Sequence, residues 1–169
     1  MPTKIELSEQ ELRAITGYAA ACARRALPLF ERQCPTDTRP RDAVDAADAF
    51  AGGGRRTAAL RQIAWAAYKA AQETTAPAAE DAARAASHAA AAAYLHPLAD
   101  AHQVKHILGA AAHAARAEEL AGVAAGTLDW ARHHAPPAVT AVLARMPAAP
   151  PGGGRAGELI RELDAALRT

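Results

Sequence analysis

The sequence of 169 residues predicts an all-α fold, a single-domain bundle of about six to eight helices. Three observations support this prediction. Apolar residues recur at steps of three and four along almost the whole chain, which is the helical period, and no segment shows the period of two that strands need. Alanine, the best helix former, occupies 51 of the 169 positions. Aromatic residues make up only 4%, so the helices must approach one another closely to build a core.

The first helix is predicted to begin after Ser8, because Ser8 and Glu11 form the S-x-x-E pattern of a capping box. It is expected to run to about Gln33. Pro28 lies inside it and lacks a backbone donor, so a kink or a break is expected near Leu27. The apolar residues of this helix share one face and predict a buried stripe: Leu12, Ile15, Ala19, Cys22, Ala26 and Leu29.

The next two helices are marked by proline and glycine. A connector that begins at Cys34 leads into the second helix, with Pro40 at its first position and Gly52–Gly54 at its end. Three carboxylates share one side of this helix and predict a solvated face: Asp42, Asp45 and Asp48. A third helix is expected from about Thr57 to Glu73, and its buried stripe is Leu60, Ile63, Ala64, Ala67 and Ala71.

Proline and glycine also delimit the remaining helices. Pro77 opens a fourth helix with an alanine stripe, and His96-Pro97 interrupts it because a residue before proline is pushed out of the helical region. A fifth helix ends near Gly122, and two shorter helices follow, Thr127 to His134 and Pro137 to Met146. The expected organisation is a helical core over residues 1–146, a Pro/Gly-rich loop over 147–154, and an amphipathic helix over 155–169 that packs on the core.

Charge and cysteine content exclude several classes of protein. The formal net charge is +1 and the basic pairs are isolated, so nucleic-acid binding is not expected. Cys22 and Cys34 lack metal-ligand spacing and are predicted to be reduced thiols. The N-terminus has no signal-peptide pattern and no run of about eighteen apolar residues occurs, which predicts a cytoplasmic protein without a membrane span. No cofactor is expected, and the sequence leaves the oligomeric state open.

Histidines form the most distinctive pattern in the chain. On a helix that starts after Pro97, His102, His106 and His113 fall within about 40° of one another. The opposite side is aliphatic and predicts the core face: Val104, Ile107, Leu108, Ala111 and Ala115. The histidine stripe is therefore expected to face solvent, a cleft or a partner.

The stripe permits several kinds of chemistry. His102 and His106 have the i, i+4 spacing of two metal ligands, but no H-E-x-x-H occurs and His113 lies about 10 Å further along the axis, so no metal site is predicted. If the protein is an enzyme, Asp100 beside His102 or His106 is the candidate acid/base group. No nucleophile can be identified, and a binding role is favoured over catalysis.

The favoured prediction is an interhelical polar seam or pocket that contacts a partner or ligand. His96 and Lys105 adjoin the stripe, and Gly109 with Ala110 would let another backbone approach closely. The opposing charges are expected from the entry to the second helix: Asp37, Arg39 and Asp42.

Trp65 is the second candidate for recognition. It lies off the buried stripe of the third helix, with Arg61 and Lys69 four residues to either side. Tryptophan and arginine are enriched in binding hot spots, so Trp65 is either a partner anchor or a side chain that covers a second helix.

Several segments together resemble a known family. They are Ala26-Leu-Pro-Leu-Phe-Glu31, Thr38-Arg-Pro-Arg-Asp-Ala-Val44, and Tyr94-Leu-His-Pro-Leu98 with Gln103-Val-Lys-His-Ile107. Over about residues 12–146 the chain resembles the all-helical immunity proteins of bacterial polymorphic toxin systems. That resemblance implies a small cytoplasmic protein that binds and neutralises a cognate protein toxin. The alternative is a small helical enzyme or a small-molecule-binding self-resistance protein with a His/Asp-lined interhelical cleft.

Overall fold

The computed structural model describes residues 1–169 and contains eight α-helices and no strand. The all-α prediction is confirmed. The helices are α1 (Glu9–Gln33), α2 (Arg39–Ala51), α3 (Ala58–Glu73), α4 (Pro77–Ala91), α5 (Ala101–Ala121), α6 (Thr127–His134), α7 (Pro137–Leu143) and α8 (Gly154–Leu167). A single 3-10 turn, Ala92–Tyr94, follows α4.

Helix α1 begins at the predicted capping box, in which Ser8 Oγ accepts from the Glu11 amide and the Glu11 carboxylate accepts from the Ser8 amide. The expected break near Leu27 does not occur, because α1 continues through Pro28 to Gln33. Pro28 lies on the exposed side, where water can take the place of the missing amide. The predicted stripe needs one correction at its end: Leu29 is only half-buried, whereas its neighbours Leu27 and Phe30 are buried.

Helix α4 lies at the centre of the bundle and packs against α1, α2, α3 and α5. All seven of its buried residues are alanines: Ala79, Ala82, Ala83, Ala85, Ala86, Ala89 and Ala90. A methyl group is the smallest side chain that still fills space, so neighbouring helices can lie close to α4 on its buried sides. The larger core side chains come from the surrounding helices, among them Phe30 and Phe50.

Helix α5 carries the histidine stripe on its outer side. Its first turn is capped by Asp100, whose side chain accepts from the His102 amide, and it ends at Gly122 with a left-handed φ of 68°. The predicted aliphatic core face is confirmed, since Val104, Ile107, Leu108, Ala111 and Ala115 are all buried.

The ends of the chain are held against the bundle. The N-terminal segment makes an isolated antiparallel bridge between Lys4 and Leu98, with Ile5 donating to the Pro97 carbonyl. Helix α8 packs on α5 and α6, and its buried Asp164 accepts from the Ala149 amide. No helix is both long enough and apolar enough to cross a membrane.

Candidate functional site

The candidate site is a groove on the outer surface formed by α3, α4 and α5. Helix α4 packs against both neighbours, and its half-buried outer side chains lie between them. We call this surface the α3–α5 groove and define it by six residues that line a cavity of about 210 Å³: Tyr68, Arg84, Ser87, His88, Ala91 and His106.

The histidine stripe of α5 reaches the groove, but its members have different environments. His102 and His106 are exposed, as expected for the side opposite the core. His113 is half-buried, and its Nδ1 lies 2.7 Å from Oδ1 of Asp81 on α4. The stripe therefore combines two accessible imidazoles with one that joins α4 to α5.

A fourth histidine, His88 of α4, completes the arrangement. Its ring stacks on that of His113, with centroids 5.0 Å apart and planes 19° apart, and lies 6.5 Å from the ring of His106. It occupies the space above Gly109, where a Cβ would lie 2.7 Å from His88 Nδ1. The expected close backbone approach at Gly109 is thus corrected, because the glycine makes room for an imidazole.

Burial and neighbouring charges lower the pKa values of two of these imidazoles, His88 and His106. Burial lowers the pKa of His88 well below its usual range, and the nearby His113, His106 and Arg84 lower it further. Partial loss of hydration also lowers the pKa of His106, and His96, Lys105 and His102 act in the same direction. A neutral imidazole both donates and accepts one hydrogen bond, so the two rings offer donors and acceptors to a group that enters the cavity.

The other wall of the groove is aromatic and cationic. Trp65 is 58% exposed and stacks on Tyr68, with ring centroids 5.3 Å apart. The Arg84 guanidinium lies 5.3 Å from the centre of the Tyr68 ring and also binds Glu80 at 3.0 Å. Trp65 is therefore an exposed side chain at the edge of the cavity and is not covered by a second helix.

The predicted opposing charges lie elsewhere. The Arg39 guanidinium binds Asp37 at 2.7 Å and Glu73 at 2.6 Å, which fastens the start of α2 to the end of α3. Asp42 accepts from the Thr38 hydroxyl. None of the three predicted residues contacts a histidine, and the carboxylate that does so is Asp81.

The other predicted positions lie at the start of α5 and just before it. His96 is exposed, and its backbone amide donates to the side-chain carbonyl of Gln103. Lys105 is half-buried on α5 beside His106. These two residues lie at the end of the groove nearest the 3-10 turn.

The catalytic candidates do not form the expected acid/base pair. Asp100 caps α5 and makes no hydrogen bond to the ring of His102 or His106. The pair that does form is Asp81 with His113. Ser87 Oγ donates to the Ala64 carbonyl at 2.8 Å, and no three His, Cys, Asp or Glu side chains are grouped so that they could hold a metal ion.

Sequence reasoning missed Asp81, Arg84 and His88. They occur at i, i+3 and i+7 on α4, a spacing that places them on one face of a helix. Their spacing forms the only polar face of an alanine-rich helix, and this pattern could have identified them. The pattern predicts a polar seam along α4 but does not show which helix packs against that face.

Comparison with known proteins gives one finding. A family model described as "Imm-5 like putative immunity protein" matches residues 5–138. That span includes α1 to α6 and all residues of the α3–α5 groove. Searches of the curated proteins and of the solved structures give no match.

Proposed function

The chain belongs to the Imm-5 like family of putative immunity proteins, and from this membership we propose that it neutralises a cognate protein toxin by binding it directly. The contact surface in this proposal is the α3–α5 groove with Trp65 at its edge. The toxin would be held by association alone, with no chemical step.

The observation that carries the proposal is the exposure of Trp65. A tryptophan that is 58% exposed leaves a large apolar surface in water, and no other tryptophan, tyrosine or phenylalanine in the chain is exposed to that extent. Aromatic anchors of this kind, next to a pocket, are typical of the centre of a protein–protein interface. Tyr68 behind Trp65 supports the indole and fixes the orientation of its ring.

The size of the adjoining cavity favours a protein partner. Pockets that enclose a small-molecule ligand usually measure about 300–1,000 Å³. The groove cavity measures about 210 Å³ and opens beside Trp65. A single side chain of a partner fits that space better than a complete ligand does.

The second candidate function is a small helical enzyme or a self-resistance protein that binds a small molecule. The Asp81–His113 pair favours it, because a carboxylate that orients an imidazole is the usual arrangement of a general base. Both side chains are less than one-fifth exposed, and the hydroxyl of the groove residue Ser87 already donates to a backbone carbonyl. Binding therefore remains the first proposal.

The first test uses the toxin domain against which this chain protects cells when the two are produced together. Trp65→Ala should weaken binding of that domain by at least about tenfold, because truncation of a hot-spot residue typically costs about 2 kcal/mol of binding free energy. The matched control is Leu120→Ala, because Leu120 is also an exposed apolar residue but lies near the end of α5. Equal affinities for the two variants would contradict the proposed surface.

The second test uses His106→Ala. Because His106 is exposed and lies opposite the core face, its loss should weaken binding while the melting temperature changes by only a few degrees. A clear fall in melting temperature, with full affinity in the folded fraction, would instead show a structural role. Turnover of a small molecule that His113→Ala abolishes would move the second candidate to first place.

A further inference from the structure

We propose that the toxin surface that docks on the α3–α5 groove is acidic, with Asp and Glu side chains around a central pocket for Trp65. This inference rests on the proposed function and adds the chemistry of the partner. Several cations around the groove form no ion pair within the chain.

The cations flanking the groove are unpaired. Arg61 and Lys69 on α3 and Lys105 on α5 take part in none of the ion pairs of the chain. The same holds for Arg55 and Arg56, which precede α3 and line the neighbouring open cavity of about 680 Å³. Arg25, Arg32, Arg132 and Arg161 also form no ion pair, so what distinguishes these five is their position on or next to the helices that form the groove.

The carboxylates near the groove already have partners within the chain. Glu80 binds Arg84, and Asp81 binds His113. Asp100 caps α5. Glu73 binds Arg39, which lowers the pKa of the Glu73 carboxyl, and it also lies one turn beyond Lys69, whose charge acts in the same direction. Glu9, which lines the same cavity as Arg55 and Arg56, already binds Arg13. None of the five cations forms an ion pair, so an acidic partner would supply carboxylates within binding distance.

The unpaired cations surround the aromatic side chains. Arg61 and Lys69 are four residues to either side of Trp65 on α3. Arg61 and Arg56 both lie over the ring of Tyr94, at 4.4 and 5.5 Å from its centre. An aromatic centre with a charged rim is the usual plan of a protein–protein interface, in which the rim steers the partner and fixes its orientation.

A protein fits this surface better than a nucleic acid does. The carboxylate of Glu80 binds the groove residue Arg84, and that of Asp81 binds His113, so both would repel a phosphate backbone laid along the groove. The formal net charge of the chain is only +1. An acidic protein surface can place its carboxylates opposite the flanking cations and its neutral groups opposite Glu80 and Asp81.

The test is the rate at which the toxin domain associates with charge-reversed variants. Arg61→Glu combined with Lys69→Glu should lower the association rate constant by about tenfold at low salt, because like charges then face each other. The control is Arg32→Glu, an exposed and unpaired arginine in the last turn of α1. It should change the rate by less than about twofold, since it lies outside the proposed surface.

A second probe does not depend on the toxin. In a Trp130→Phe background, Trp65 is the only tryptophan, and its fluorescence should change on titration with poly-L-glutamate and stay constant with poly-L-lysine. The change should disappear in the Arg61→Glu, Lys69→Glu variant. A single-stranded oligonucleotide of equal charge should produce a weaker response.

The outcomes separate the two proposals. Trp65→Ala could weaken toxin binding while the double charge reversal changes the association rate constant no more than Arg32→Glu does. In that case the proposal of an acidic partner is wrong and the proposed function stands. If the wild-type chain does not bind the toxin domain, the proposed function is wrong, and the poly-L-glutamate titration alone decides whether the groove recognises carboxylates. A stronger response to the oligonucleotide than to poly-L-glutamate would overturn the inference.

Discussion

Two surfaces of the bundle use the same charged residue types in opposite ways. On the α1–α2 surface, Arg24 binds Asp45 at 2.9 Å and Asp48 at 2.6 Å, and Arg41 binds Glu31 at 2.6 Å. On the α3–α5 groove, Arg61 and the other flanking cations have no such partners. On the first surface these arginines are therefore neutralised by carboxylates of the chain itself. On the second surface several cations form no ion pair and the Trp65 indole is exposed.

The largest expected effect comes from a change beneath the groove. Ile107 lies on the core side of α5 and is 1% exposed, so Ile107→Asp buries an unpaired charge and should cost several kcal/mol, enough to unfold the chain. Lys105→Asp, on the outer side of the same helix, should change stability by less than about 1 kcal/mol. Thermal denaturation followed by circular dichroism measures both. Similar losses for the two variants would mean that the groove side of α5 is as tightly packed as its core.

The next effect concerns the floor of the groove. Gly109→Ala places a Cβ 2.7 Å from His88 Nδ1, so the imidazole must move. The cost should be about 1–3 kcal/mol, more than the gain of about 1 kcal/mol in helix propensity. Gly52→Ala is the control, because the nearest atom there is 3.4 Å away. Denaturant unfolding measures both, and a stabilised Gly109→Ala would show that His88 moves freely.

The third effect is a dependence of stability on pH. The pKa of His88 is lowered in the folded chain, so between its folded pKa and the ordinary histidine value near 6.5 the unfolded state binds more protons. Stability should therefore fall as the pH falls from 7 to 5, by up to about 2 kcal/mol from this group. The lowered pKa of His106 acts in the same direction.

His88→Gln isolates this contribution, because glutamine does not titrate. Its unfolding free energy should fall less than that of the wild type between pH 7 and pH 5. A carboxylate with a lowered pKa, such as Glu11 at about 2, loses its stabilising contribution mainly as the pH falls from 4.5 to about 2, which lies below this window. If the unfolding free energy falls equally with pH in the wild type and in the variant, His88 does not have a lowered pKa in the folded chain.

The smallest effect is expected on the self-paired surface. Asp45→Ala removes one of two carboxylates that bind Arg24, and the pair is exposed. Exposed pairs contribute little, so stability should change by less than about 0.5 kcal/mol. Urea denaturation gives this value. A loss above 1 kcal/mol would show that the α1–α2 pairs act as a network and would sharpen the contrast with the groove.

Local signals in the sequence are sufficient for most of the fold. The capping box at Ser8 marks the start of α1, Pro77 begins α4 as predicted, and Gly122 lies at the end of α5. Each of these residues acts on its own backbone within one turn, so no knowledge of the tertiary structure is needed. Leu29 is different, because the choice between Leu27 and Leu29 as the buried residue depends on which neighbours surround the end of α1.

The site depends on contacts that are distant in sequence. The side of α5 on which His106 lies follows from helical periodicity alone, as does the position of Trp65 off the buried stripe of α3. The partner of His113 does not, because Asp81 is 32 residues away and meets it only when α4 packs against α5. Asp37 and Arg39 were predicted as the charges opposite the histidines, but the fold instead joins Arg39 to Asp37 and to Glu73 on α3.

The alanine interior of α4 has a consequence for how such a protein can diversify. Because every buried position of α4 already holds a methyl group against a neighbouring backbone, larger residues have no space there. Substitutions that the fold tolerates are therefore expected on the outer side of α4 and on the helices on either side of it. Substitutions at those positions would change the surface of the bundle while the packing around α4 stays the same.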